Sequence, residues 1–256
     1  MLSWFPENVS TYGADIDGLF ALIYYITGIA FLLAEGTLLF FVLRYRRRAG
    51  QSAAYVSGSS WGELSWLLIP CVIVLGLDLW IDARGSETWD KIKVQVPPAD
   101  VQVQVIGKQF NWDMVYPGPD GTFDTEDDLR LENELHVPVG KVIEVNLQSQ
   151  DVIHSFFLPH FRLKQDAVPG REILAWFEAT TPGRYEIPCA ELCGFGHTGM
   201  KGWLTVHTAE DYQQWLQQHW PSVQTQTHTP RSFARRMGQL VDHYLQVQRD
   251  RPRGKL

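Results

Sequence analysis

Two thiols, an imidazole and a thioether fall within twelve consecutive residues, Cys189-Ala190-Glu191-Leu192-Cys193-Gly194-Phe195-Gly196-His197-Thr198-Gly199-Met200. Soft sulfur donors beside imidazole suit copper, and also zinc. A structural zinc site wants four strong ligands, and a thioether is a poor one for zinc. A mononuclear blue copper site takes one Cys, two His and a weak axial Met, which leaves the second thiol without a use. Two coppers bridged by both thiolates, each with one His and a weak axial donor, employ every donor in the run. A Cys189–Cys193 disulfide stays open as an alternative, because compartments outside the cytoplasm are oxidising. The third cysteine, Cys71, lies in an apolar run and reads as a packed thiol.

A two-copper site needs a second histidine from elsewhere in the chain. His154, in Asp151-Val152-Ile153-His154-Ser155-Phe156-Phe157-Leu158-Pro159, follows a predicted strand and is the candidate. By spacing alone His136 and His160 compete with it.

The elements that must carry these residues divide into two kinds. Gly18 to Leu43 is a 26-residue apolar run with Glu35 as its one ionisable residue, and Trp61 to Ile81 is a second run of 21, with Glu63 near its start and Asp78 near its end. Each reaches the roughly 20 residues that cross a hydrocarbon core of about 30 Å. A signal peptide is the weaker reading, since Met1 to Asp17 holds no Lys or Arg. Arg44-Tyr45-Arg46-Arg47-Arg48 between the runs is the basic loop that stays cytoplasmic. The chain is therefore read as an external segment (1–17), a transmembrane helical hairpin (18–82), an outer domain (83–220), and a linker with a tail (221–256). Glu35 inside a span reads as facing a partner subunit.

Beyond the hairpin, short alternating segments predict strands: Lys91–Val96, Val101–Ile106, Lys141–Gln148, Ile173–Ala179, Gly183–Ile187 and Gly202–Val206. Pro97-Pro98-Ala99-Asp100 reads as the turn between the first two. Several short strands with Pro/Gly turns suggest an all-β sandwich or barrel. Pro117 to Asp128 has the composition of a calcium loop but not EF-hand spacing, so it reads as a solvated acidic hairpin. Thr208 to Trp220 reads as a helix. Phe233, Met237, Leu240, Val241, Tyr244 and Leu245 recur at helical spacing in a basic tail, which rests on a partner, lies on the membrane surface, or is a loosely ordered surface helix.

The charge is unevenly distributed. Asp82 to Thr229 carries 21 acidic and 11 basic residues, a net of −10, while Pro230 to Leu256 carries seven basic and two acidic. An acidic outer domain repels phosphates, which excludes a nucleic-acid partner, and it attracts a basic protein.

Taken with the helical hairpin, these motifs resemble subunit II of the haem–copper cytochrome c oxidases. Cys-x-Glu-x-Cys-x-x-x-His-x-x-Met is complete at Cys189, Glu191, Cys193, His197 and Met200, and Asp-Val-x-His-Ser is complete at Asp151 to Ser155. Lys164 to Arg171 resembles the family's connecting segment, and Glu63-x-x-Trp66-x-x-x-Pro70 its second span. The resemblance covers about residues 18 to 217. It implies a cupredoxin-like sandwich in which Cys189 and Cys193 bridge two coppers. His154 and Met200 then complete one copper, and His197 and the Glu191 carbonyl the other. It also implies a magnesium or manganese ion reached by the Glu191 carboxylate and shared with subunit I. Electrons would arrive from cytochrome c, at the outer face of what is expected to be a bacterial inner membrane, and leave for the haem of subunit I. Glu63 matches the residue at the mouth of the family's proton pathway.

One departure concerns the aromatic patch at which, by the resemblance, the electron would enter. The family commonly reads Gln-Trp-x-Trp where this chain has Gln109-Phe110-Asn111-Trp112, so donor docking or donor identity is expected to differ. No Cys-x-x-Cys-His occurs, so the donor is expected to be a separate protein. Three rival functions fit less well: quinol oxidase subunits lack these copper ligands, nitrous oxide reductase needs a further catalytic domain, and metal-storage proteins need exchangeable ligands.

Overall fold

The computed structural model of the chain describes residues 5–220, in two units. One is built on Tyr12–Gln95; the other comprises Pro6–Thr11 and the chain from Val96 onward. The linker from residue 221 and the basic tail with Phe233 to Leu245 lie outside the described residues.

The first unit is a helical hairpin. Helix α1 spans Gly13–Arg44 and α2 spans Trp61–Trp89, each long and apolar enough to cross a membrane. Both are apolar on every side, and their large side chains, such as Leu33, Phe40, Leu68 and Ile73, point outward. A helix that is hydrophobic all round needs an apolar surrounding. The helices run antiparallel, since Lys91 pairs with Asp15 and Leu19 lies against Gly85. At its other end α2 opens on a capping box: Ser60 Oγ accepts from the Glu63 N–H (3.2 Å), and the Glu63 carboxylate accepts from the Ser60 N–H (3.1 Å).

Helix α2 does not stop where its apolar run stops. It reaches Trp89 and continues as a π-helical turn over Asp90–Val94, closed by Gln95 N donating to Asp90 O at 2.8 Å. The strand expected over Lys91–Val96 is therefore absent: Lys91–Val94 is helical, and Gln95 and Val96 belong to no strand. Two apolar residues alternating with two lysines fit one more helical turn as well as a strand. The first real terminator is Pro97-Pro98, whose rings supply no N–H donors. Pro97–Asp100 accordingly leads into the first strand and is not a turn between two strands.

The second unit is a β-sandwich. Its first layer contains β1 (Val101–Lys108), β2 (Asn111–Tyr116), β3 (Leu129–Glu132), β5 (Val142–Ser149) and β8 (Ile173–Glu178), in the order β3-β2-β1-β5-β8. Opposite lie β4 (Glu134–Pro138), β10 (Lys201–His207) and β9 (Gly183–Pro188), in the order β4-β10-β9, and the pair β6 (His154–Leu158) and β7 (Leu163–Ala167). An antiparallel bridge between Phe156 and Cys189 joins that pair to the edge of β9. Side chains of the two layers meet in a dry core: Val103, Val105, Met114, Val145 and Phe177 from one layer, Leu135, Leu204, Ile187 and Phe156 from the other. The acidic stretch Pro117–Asp128 connects the antiparallel strands β2 and β3, as the hairpin reading expected.

Helix α3 (Ala209–His219) closes the sandwich through Tyr212 and Trp215. Beneath it His136 Nδ1 and His207 Nε2 share one hydrogen bond (2.9 Å), and His136 stacks on Trp215. Burial, then the neighbouring His207, His219 and Arg184, lower His136 from its ordinary 6.5 to about 4. The folded state thus resists a proton that the unfolded chain accepts. Stability from this contact is complete above pH 6.5 and is lost as pH falls towards 4. Thermal unfolding of the outer unit, followed from pH 7.5 down to 4.5, is expected to move to lower temperature. In a His136→Phe variant that part of the slope should disappear.

Candidate metal centre

The ligand loop is the connection of a β-hairpin. Strands β9 and β10 pair antiparallel, with Pro188 opposite Lys201, so the twelve residues Cys189–Met200 form the whole connection. Cys189 N donates to Met200 O at 3.1 Å and clamps the base. At the tip Gly194 takes φ +133°, a conformation that side chains rarely adopt, and a tight turn over His197–Gly199 turns Met200 back inward. A second backbone bond, Ala190 N to Ser155 O at 3.0 Å, ties the loop to β6, whose first residue is His154.

These links bring the donor atoms together. The two sulfurs lie 3.9 Å apart, His154 Nδ1 is 3.9 Å from the Cys189 sulfur, and His197 Nδ1 is 3.6 Å from the Cys193 sulfur. Met200 Sδ stands 3.7 Å from the Cys193 sulfur, and the Glu191 carbonyl oxygen 3.3 Å from that of Cys189. His154, Cys189, Cys193 and Met200 are buried, and both thiols are free. Sulfurs at this separation let one ion sit within a metal–thiolate bond of about 2.3 Å of both. The donor set, soft and partly aromatic, suits copper. Burial, and then the adjacent Cys189 sulfur, push the Cys193 thiol up to about 11, a cost that a cation between the sulfurs would offset.

Asp151 and Gln109, to which sequence reading gave no role, brace the ligands from behind. One oxygen of Asp151 accepts from His154 Nε2 (2.8 Å) and the other from the Gln109 N–H (2.7 Å). Partial burial raises the Asp151 carboxyl, but the bonds from His154, Gln109 N and Val152 N outweigh it and hold the pKa low. With its Nε2 proton so engaged, His154 presents the Nδ1 lone pair to the sulfurs. Gln109 also donates from its side chain to Cys193 O at 2.6 Å. Gly107 on β1 leaves room for the imidazole, since a Cβ there would meet His154 Cδ2 at 2.9 Å. A carboxylate three residues before a candidate ligand was visible in the sequence; the 84-residue reach from Gln109 to Cys193 was not.

The structure separates the other expected residues. His136 is paired with His207, and His160 Nδ1 bonds to Glu7 O, so neither joins the cluster. Phe110 is at the surface, whereas Trp112 is wholly buried, edge-on to His154 (5.9 Å between centroids) and Phe156 (5.7 Å). The two aromatics therefore form an outer and an inner layer and not one surface patch. The Glu191 side chain is exposed, while its carbonyl turns towards the sulfurs. Glu63 belongs to the other unit, in the cap of α2.

A family model described as cytochrome c oxidase subunit II, periplasmic domain, matches residues 101–206. Cytochrome c oxidase subunit 2 of Thermostichus vulcanus is 33% identical, over 84% of this chain and 78% of its own. The chain belongs to the cytochrome c oxidase subunit 2 family. The alternative cytochrome c oxidase subunit 2 of Bradyrhizobium diazoefficiens is 31% identical, over 84% of each chain. A crystal structure of the periplasmic domain of subunit II of cytochrome oxidase from Bradyrhizobium japonicum is 35% identical. It covers 49% of this chain and 96% of that one at a TM-score of 0.44. All five residues of the Cys-x-Glu-x-Cys-x-x-x-His-x-x-Met pattern, and His154, fall inside the stretch matched to this subunit 2 family.

Removing the brace should loosen the site without unfolding it. For Asp151→Ala we expect a loss of copper affinity of about 10- to 100-fold in a competition titration. Unchanged affinity would show that the Asp151–His154 bond does not orient the ligand.

Proposed function

We propose that this chain is the electron-accepting subunit of a cytochrome c oxidase. It takes electrons from cytochrome c at a dinuclear copper centre and passes them towards the haem of subunit I, where oxygen is reduced to water. The observation that carries this reading is the convergence of two free thiols, two imidazoles, a thioether and a backbone carbonyl on one buried pocket. Cys189 and Cys193 would bridge the metals, with His154 and Met200 on one and His197 and the Glu191 carbonyl on the other. Bound there, two coppers sharing one electron supply a one-electron relay whose bond lengths change little on reduction.

The protein's share is rigidity and access. The β9–β10 ladder and the Asp151 carboxylate hold the ligands where they are, so little rearrangement accompanies electron transfer. Burial keeps water from the sulfurs. Phe110, 39% exposed, covers Gly194 and Gly196 of the loop, and the buried Trp112 packs edge-on against His154. The Glu191 carboxylate, exposed beside the site, suits a hard cation such as magnesium or manganese shared with subunit I. The hairpin would anchor the chain in a bacterial inner membrane beside subunit I, with the sandwich on the periplasmic side. The acidic surface of that domain would steer a basic donor.

Two experiments on the assembled oxidase test this. The second-order rate of reduction by cytochrome c should fall with ionic strength, and Cys193→Ser should abolish the fast phase altogether. A salt-independent rate would exclude steering, and a wild-type rate in Cys193→Ser would overturn the copper reading.

Glu63 would stand at the cytoplasmic mouth of a proton path. Glu63→Gln keeps a side chain that can accept the Ser60 N–H and complete the cap, but removes the charge. Slower proton uptake and turnover are expected in this variant; unchanged turnover would leave Glu63 as a helix cap alone.

A further inference from the structure

Gly196 has no backbone reason to be glycine. Its φ is −88°, open to any residue, unlike the +133° of Gly194. What it lacks is space: a Cβ at Gly196 would fall 2.5 Å from Phe110 Cδ2, 2.6 Å from Cγ and 3.0 Å from Cε2. At Gly194 a Cβ would meet Phe110 Cε1 and Cζ at 3.2 Å, and Gln109 Nε2 at 2.7 Å. One side of the Phe110 ring thus rests on Gly196 and the other on Gly194, so the ring lies flat on the backbone between Cys193 and His197. Gly199, on the same loop, has nothing within 4 Å of such a Cβ.

Two further bonds hold the ring in this slot. The Gln109 side chain donates to Cys193 O (2.6 Å), and the Gln109 N–H donates to Asp151 (2.7 Å). The residue before the ring is thereby fastened to both ligand-bearing segments, one through a cysteine and one through the partner of His154.

We infer that Gly196 and Gln109 are positioning residues that seat Phe110 on the ligand loop, and that this seating sets the rate at which an electron crosses from a reduced haem-protein donor. The inference rests on the two-copper reading above. One electron leaves the donor and one arrives at the copper pair; no bond forms or breaks and no proton moves. The chain's contribution is the distance and contact between the ring that meets the donor and the backbone joining two ligands. A methyl at 196 would lift the ring off that backbone while leaving every ligand in place.

The test uses the assembled oxidase. Gly196→Ala is expected to lower the maximal rate of electron transfer from cytochrome c on the order of tenfold. KM for the donor and the copper electron paramagnetic resonance spectrum should stay as in the wild type. In a Phe110→Ala background the slot is empty, so adding Gly196→Ala should cost nothing more. Gln109→Leu should lower the rate in the same direction as Gly196→Ala. A full rate in Gly196→Ala, an equal loss in both backgrounds, or an altered copper spectrum in Gly196→Ala would each overturn the inference. If Gly196→Ala fails to assemble, the Phe110→Ala/Gly196→Ala double variant decides. Assembly restored supports the slot, and assembly still lost overturns it. The wild-type spectrum tests the copper reading itself, which separates failure of that reading from failure of this one.

Discussion

The ladder that sets Pro188 opposite Lys201 is the constraint on which the site depends. Two strands of a packed sandwich fix the ends of a twelve-residue loop, so every candidate ligand on it is held by core packing elsewhere. Ile187 and Leu204, buried on those strands, keep the ends from sliding. A slip of one residue would turn these side chains outward and reverse the facing of Cys189. The bridge between Phe156 and Cys189 extends the same ladder sideways and sets His154 beside the loop. Five donor side chains from two distant segments are thus registered by backbone hydrogen bonds.

Such a cluster is costly to bury. It contains two thiols and an imidazole, and each polar atom must find a partner or a metal. The chain meets part of this cost with Asp151, whose two oxygens serve His154 and Gln109 together. That sharing couples ligand orientation to the seat of Phe110. One carboxylate therefore fixes both the His154 ring and the residue that precedes Phe110.

Much of this was legible in the sequence, and the reasons are local. Strands β1, β5, β9 and β10 alternate in sequence because one face meets the core, so period two revealed them, whereas β8 is a short apolar run, Ile173 to Phe177. Strand β6 escaped because His154, Ser155, Phe156 and Leu158 are all buried, which leaves no alternation to see. Strand β7 escaped because Lys164, Gln165 and Asp166 lie at a sheet edge and read as loop. Over Lys91–Val96 alternation misled, since the helix before it had not met a terminator. The candidate ligands of the loop were readable because they fall within twelve consecutive residues. His154 needed a family resemblance to single it out from His136 and His160, since its contact with Cys189 spans 35 residues. The fit of Phe110 against Gly196 leaves no trace in a linear pattern.

The most direct test of the central claim is electron paramagnetic resonance of the wild-type chain loaded with copper. The account predicts one unpaired electron shared equally by two copper nuclei, with hyperfine structure from both. A spectrum from a single copper nucleus, with the second thiol free to react with alkylating reagent, would contradict it.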